Sequence, residues 1–474
     1  MPDHTADVDI EFLDASGDGI ASDPRLRSGR PERNRTGAGR RGVAVPFTIP
    51  GERVRVRLAS RDATRAALVD ILRPSPHRVT PRCAHFGPDA MPLHIPCGGC
   101  SWQHIAYAEQ LRLKSALVDR LLKAAVRRTP EVRPTVPGTS PDNPWGYRHK
   151  VHFVFGNGPA AGRRPGRLMM GHYARATRRV IPVHECPVHD DRGNQVAFGF
   201  FDAFARAGIT APDHGVLRGI AVRVGVNTPE VAATLVVTNE RDRRLRTATR
   251  RAMDEHGAPS ALHLNIHPRG DASIFGRDTR RLSGPERLRD SVAGASFLIS
   301  PTAFFQTNVL AAERLVELVL DEVPPDATVL DLFAGAGLFA LPLALRGARV
   351  TAVEENRAAV ADGEASARLN RIPEDRCRFV ARRVEAALGS LRPAEVVVLD
   401  PPREGCSAEV IAAVFGRLRP RTIVYVSCNP EALARDLALA TPHGYMIESV
   451  QPVDMFPHTA HVETVVVLRA PARR

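Results

Sequence analysis

Three short segments place reactive side chains where they could do chemistry. In Val426-Ser-Cys-Asn-Pro, Cys428 stands just before an expected helix start near Pro430. A thiol there faces the positive end of a helix, which can activate it as a nucleophile. In Asp400-Pro-Pro-Arg-Glu-Gly, two prolines stiffen the chain and remove two N–H donors, which fixes the Asp400 carboxylate. In His461-Val-Glu-Thr-Val-Val-Val, Glu463 borders an apolar run, where a carboxylate is costly unless it is partnered or used. Taken singly, each has a plain structural explanation: an inert buried thiol, a helix cap, a partnered core acid. Together they supply a nucleophile and acid–base groups.

A fourth segment, Asp331-Leu-Phe-Ala-Gly-Ala-Gly-Leu-Phe-Ala, follows an apolar strand. Gly335 and Gly337 allow a tight turn and close backbone approach to a ligand, and Ala340 keeps the next helix near the sheet. Glu354 closes the following strand, about 20 residues on, where a carboxylate can accept hydrogen bonds from ribose hydroxyls. The pattern calls for an adenosine-containing cofactor, and S-adenosylmethionine and NAD both satisfy it.

A second cysteine group is separate from Cys428. Cys97-Gly-Gly-Cys100 has the spacing of a metal knuckle, with Cys83 upstream and Cys186 far downstream. Four thiolates bind Zn²⁺ or a [4Fe–4S] cluster, and spacing does not choose between them. His85, His94, His104, His184 and His189 lie near enough in sequence to suit zinc. Cys377 and Cys406 read as structural.

The elements that must position these groups are legible in outline. From Ala327 onward, apolar strands at Thr328–Leu332, Arg349–Val353, Arg378–Ala381, Val396–Asp400, Thr422–Ser427 and Val462–Leu468 alternate with helical stretches. That pattern predicts an α/β fold with a mostly parallel, Rossmann-like sheet and ligands at the strands' carboxyl ends. Short strands before residue 76 predict a small oligonucleotide-binding-like (OB-like) β-barrel, interrupted by an Arg-rich loop from Pro24 to Val43. Between them, an α+β middle domain begins with a helix at Tyr107 to Val126. The expected domains are 5–76, 77–305 and 306–474.

Composition narrows the partners. A net charge of +13 and a pI near 10.1 predict a polyanion, nucleic acid first. Lysine occurs only at Lys114, Lys123 and Lys150, so an arginine-rich composition is a competing cause of the charge. Arg148, Lys150, Arg163, Arg164 and Arg167 are candidate phosphate contacts. No apolar run reaches membrane-spanning length, and the start lacks the order of a secretory signal. A cytoplasmic monomer with reduced thiols is expected.

Leu399-Asp-Pro-Pro-Arg-Glu-Gly, Tyr425-Val-Ser-Cys-Asn-Pro and Ile299-Ser-Pro-Thr-Ala-Phe-Phe-Gln-Thr-Asn together resemble the RNA uracil C5-methyltransferase family. The whole chain is similar to its branch with a TRAM domain and an iron–sulfur site, the 23S rRNA uridine methyltransferases. The resemblance implies S-adenosylmethionine as donor, Cys428 as nucleophile and Glu463 as general base. It places Gln306, Phe333, Glu354 and Asp400 around the donor and the target base. It implies a [4Fe–4S] cluster on Cys83, Cys97, Cys100 and Cys186. The substrate it implies is RNA, 23S rRNA before the T-loop of tRNA. Leu338 and Arg383 depart from the family's usual residues beside the donor. The Cys83-to-Cys97 gap is longer than usual, and a loop from Gly87 to Pro96 would accommodate it.

Overall fold

A computed structural model describes residues 4–21, 42–60, 63–88, 96–159, 166–212, 214–254, 257–268, 270 and 273–471. The Arg-rich stretch over 22–41, the segment 89–95 with His94, and Arg163 and Arg164 lie outside the described residues.

Strict alternation builds the first unit. Arg53-Val-Arg-Val-Arg-Leu turns its arginines outward and buries Val54, Val56 and Leu58. This strand, β4 (Arg53–Leu58), joins β1 (His4–Leu13), β2 (Gly19–Ala21), β3 (Val43–Val45) and β5 (Ala66–Arg73) in the antiparallel order β3-β2-β1-β4-β5. A bridge from Ala44 to Arg65 joins the two outer strands, closing a small barrel around Val8, Ile10, Val45 and Val56.

Helix α1 (Tyr107–Ala125) follows, one residue shorter than its periodicity predicts. Its buried residues Val118 and Leu122, with Val126 after it, pack into the core of the C-terminal sheet. The two-residue strand β6 (Val136–Pro137) adds to that sheet's edge.

The middle unit is α+β, as expected. Its strands are β7 (Lys150–Asn157), β8 (Leu168–Tyr173), β9 (Val180–Pro182), β10 (Leu217–Val224), β11 (Val231–Val237), β12 (Ala261–Ile266) and β13 (Asp278–Ser283). They form one sheet in the order β13-β12-β11-β10-β7-β8-β9. Helices α2 (Asp191–Arg206) and α3 (Arg243–Asp254) pack on it through Phe200, Phe204 and Leu245, against Phe153, Ile220 and Leu235. A hairpin of β14 (Leu288–Val292) and β15 (Ala295–Ile299) leads to α4 (Val309–Asp321).

The C-terminal strands are β16 (Thr328–Leu332), β17 (Arg349–Glu354), β18 (Cys377–Ala381), β19 (Val396–Leu399), β20 (Thr422–Ser427), β21 (Met446–Asp454) and β22 (Glu463–Arg469). Helices α5 (Ala340–Leu345), α6 (Arg357–Leu369), α7 (Val384–Ala387), α8 (Ala408–Ile411) and α9 (Pro430–Ala440) connect them. The sheet order is β18-β17-β16-β19-β20-β22-β21-β6, with β16 to β20 mutually parallel. Val396-Val-Val-Leu is buried at every position, the signature of a strand covered on both faces. Each such side chain contributes about 1.5–3 kcal/mol of burial.

Strand β21 was not expected, because Glu448, Ser449, Gln451 and Pro452 interrupt its apolar pattern. Pro452 is tolerated because β6 pairs only with Val453 and Asp454. Among the described residues, no helix is long and apolar enough to cross a membrane.

Candidate active site

Strand direction assembles the site. The parallel strands β16, β17, β19 and β20 end on one edge, at Leu332, Glu354, Leu399 and Ser427. β22 runs the opposite way, pairing Thr464 with Ser427, so its first residue, Glu463, reaches that same edge. Asp400, Cys428 and Glu463 are thereby brought together, close enough for both acids to act electrostatically on the thiol. Asn429 locks two of the loops. Its side-chain carbonyl caps α9 by accepting from the Glu431 N–H at 3.0 Å, and its amide donates to the Arg403 carbonyl at 2.9 Å.

Burial sets the protonation. Glu463 is only 5% exposed, and its carboxyl is pushed up to about 8 by burial and then by Asp400. Burial raises Asp400 to about 7. The half-buried Cys428 thiol is pushed up to about 12 by burial first, then by Glu463 and Asp400. Arg403 opposes this for both Cys428 and Glu463. The helix end was expected to activate the thiol; in the free protein burial and the two acids act in the opposite direction. Sequence reading did not assign Arg403 this role, although its place after the prolines was visible.

The glycine turn adjoins these groups. Phe333 (φ 66°), Gly335 (φ 55°) and Gly337 (φ 86°) all adopt left-handed backbone. The Gly335 N–H donates to Glu354 Oε2 at 3.0 Å, and the Asn356 N–H donates to Oε1 at 2.7 Å. Glu354 is thus fixed at the turn, with further lone pairs free to accept from a ligand. A β-carbon at Gly335 would meet nothing within 4 Å, whereas one at Gly337 would lie 2.8 Å from the Phe379 ring. Gly335 therefore borders open space and Gly337 serves packing. Leu338 is buried, and Arg383 is exposed beside Glu355 and Glu385.

Asp331 was missed as a site residue. It is fully buried, and burial followed by Asp400 and Glu354 raises it to about 8, against the opposing pull of the Ala340 N–H. The available signal was its position as the acid opening the glycine run. Gln306 lies on the loop before α4, two residues from Asn308, whose amide donates to the Met455 carbonyl at 3.0 Å. That bond ties the loop to the β21–β22 connection.

A second site lies in the middle unit. Cys83, Cys97, Cys100 and Cys186 line one cavity of about 380 Å³. Arg148, His172 and His189 line it too, so Arg148 faces this cavity. Burial raises all four thiols, Cys100 to about 12, and Cys83 and Cys97 raise Cys100 and Cys186 further. As thiolates they would need a cation at the centre. Among the described residues, only His172, Cys186 and His189 gather their ligand atoms within 4.8 Å.

The chain is similar to known RNA methyltransferases in sequence and in fold. A family model described as tRNA (Uracil-5-)-methyltransferase matches residues 286–471. An uncharacterized RNA methyltransferase of Gloeobacter violaceus is 34% identical, over 98% of this chain and 96% of its own length. Another, from Listeria monocytogenes, is 32% identical over 90% of this chain and 92% of its own. Among solved structures, Pyrococcus abyssi tRNA (uracil-54, C5)-methyltransferase, in complex with S-adenosyl-L-homocysteine, superposes with a TM-score of 0.74. It covers 98% of this chain and 100% of that one at 24% identity, a likeness of fold.

Proposed function

Since the chain belongs to the RNA methyltransferases whose C-terminal part is the tRNA (uracil-5-)-methyltransferase domain, we propose that it methylates carbon 5 of a uridine in RNA, 23S rRNA before tRNA. The methyl donor is S-adenosylmethionine. The observation that carries the reading is the convergence of Cys428, Asp400 and Glu463 at the sheet edge that also holds the glycine turn.

Carbon 5 of uracil is a poor nucleophile. Cys428 adds to carbon 6, and the ring becomes an enolate whose carbon 5 is electron-rich. Carbon 5 then takes the methyl group from the sulfonium. Glu463 removes the remaining C5 proton, and Cys428 leaves by elimination. Gln306 and Asp400 orient the ring, and Phe333, Gly335, Gly337 and Glu354 border the donor. A paired base is out of reach, so the target uridine is unpaired or flipped out. The barrel, as a TRAM-type RNA-binding unit, and the four-cysteine cavity favour 23S rRNA. The full-length fold likeness to a tRNA enzyme supports the second reading. Radiolabelled donor with 23S rRNA, tRNA and DNA acceptors tests it: 5-methyluridine is expected in 23S rRNA, label confined to tRNA favours the second reading, and label in DNA alone overturns both.

Cys83, Cys97, Cys100 and Cys186 would hold the metal group, and its chemistry here would be structural, since methyl transfer needs no electrons. A [4Fe–4S] cluster is the occupant proposed for this cavity, ahead of zinc. A Zn–S bond of ~2.3 Å draws four sulfurs to within ~4 Å of one another, yet no three of these thiols approach within 4.8 Å. The protein purified without oxygen is expected to be brown, with iron and acid-labile sulfide in equal amounts. Colourless protein with stoichiometric zinc would reverse the assignment.

A further inference from the structure

Glu463 is the first residue of β22, so its position depends on the connection that precedes it, residues 455–462. Beside local bonds such as that of the Thr459 hydroxyl to the Phe456 carbonyl, that connection is held from far away in the sequence. The buried Lys114 of α1 pairs with the buried Asp454 and donates to the Phe456 carbonyl at 3.0 Å, with its ammonium 5.8 Å from the Trp102 ring centre. The Tyr147 hydroxyl donates to the Pro457 carbonyl at 2.9 Å. His458 is gripped on every side. Its carbonyl accepts from the N–H groups of Ser101 (3.0 Å) and Trp102 (2.9 Å), and its own N–H donates to Gln110 Oε1 at 2.8 Å. Its ring contacts Gln110 Nε2 and the Pro144 carbonyl and stacks on Trp145 at 3.8 Å. His458 also has φ 63°, a strained conformation that persists only where the surroundings impose it.

We infer that Lys114 and Gln110 of α1, acting with the Ser101 and Trp102 amides, form a clamp on Asp454 and His458 that positions Glu463 for proton abstraction. They are positioning residues for the second half of the reaction. In that half, Glu463 takes the C5 proton, the C–H electron pair becomes the C5=C6 double bond, and the C6–S bond breaks to return the Cys428 thiolate. The inference rests on the reading of Glu463 as base. The first half, addition of sulfur and transfer of methyl, uses groups on β16 to β20 and the loop bearing Gln306; the clamped connection meets that loop through the Asn308 amide on the Met455 carbonyl, not through Lys114 or Gln110.

The test uses RNA carrying 5-tritiated uridine at the target. A detergent-stable protein–RNA band reports the adduct, and tritium release reports proton abstraction. Gln110→Leu, and separately the paired change Lys114→Met with Asp454→Asn, are compared with wild type per adduct-competent molecule, so misfolded protein drops out. Adduct formation is expected at the wild-type rate, with tritium release slowed roughly ten- to hundred-fold. Wild-type tritium release, or an equal fall in both steps, overturns the clamp. Glu463→Gln is the reference: if it also releases tritium normally, the base assignment has failed rather than the clamp. Hydrogen exchange in the wild-type protein is a second check. The Ser101, Trp102 and His458 amides should exchange as one unit, and a His458 amide much faster than the other two counts against the inference.

Discussion

Cys428→Ala is expected to abolish methyl transfer, lowering turnover on the order of 10⁴-fold or more. No other group at the sheet edge can replace the sulfur. Glu463 and Asp400 are carboxyl groups, and a carboxylate oxygen is a far weaker nucleophile toward carbon 6 than a thiolate sulfur. The thiol enters the reaction protonated, at about 12 in the free protein. Binding must therefore supply an acceptor for its proton; of the two neighbouring acids Asp400 is the candidate, which leaves Glu463 ionised for the C5 proton. The donor's positive sulfonium would favour their ionised forms. The half-buried position of Cys428 lets alanine be tolerated without a large loss of stability. The check is label transfer to RNA together with the detergent-stable band. Both should vanish while the protein still binds RNA, and turnover above a hundredth of wild type would remove Cys428 from the mechanism.

Glu463→Gln is expected to separate the two halves of the reaction. Single-turnover methyl transfer proceeds, but release slows roughly 10²- to 10⁴-fold, the range for loss of a positioned base. The adduct then accumulates. Only the deprotonated carboxylate can take the C5 proton, so wild-type release should rise with pH through about 8 and level off above it. In Glu463→Gln the slow residual release should lose that rise. A profile that falls over the same range, or an unchanged release rate, rules out this role. Glu463→Asp keeps the charge but shortens the reach, and should recover part of the rate.

Much of this was legible in the sequence because the C-terminal strands are short apolar runs closed by unusual residues. Thr328–Leu332 and Thr422–Ser427 fall where their patterns put them, and Val396–Leu399 stops one residue short of the expected Asp400. The glycine turn and the four-cysteine set were legible as residue types and spacings. The convergence of Cys428, Asp400 and Glu463 at one sheet edge was expected from their places at strand tips, but the strand direction that produces it could not be read. Apolar periodicity carries no information on strand direction, so the reversal of β22, which delivers Glu463 to the active edge, left no mark. Strand β21 hid behind its polar residues. Asp331 and Arg403 were visible only as members of motifs, because burial and long-range charge decide their roles. Lys114 and Asp454 are 340 positions apart, beyond the reach of any local pattern.

The outer strand β21 takes β6 as its neighbour, and α1 lends Val118 and Leu122 to the same core. A fragment beginning at residue 306 would leave that flank bare and its interior short of side chains. The catalytic region is thus no detachable cassette. Recombination that grafts it onto a different recognition module must carry residues 107–137 with it, which restricts how freely evolution can shuffle the parts.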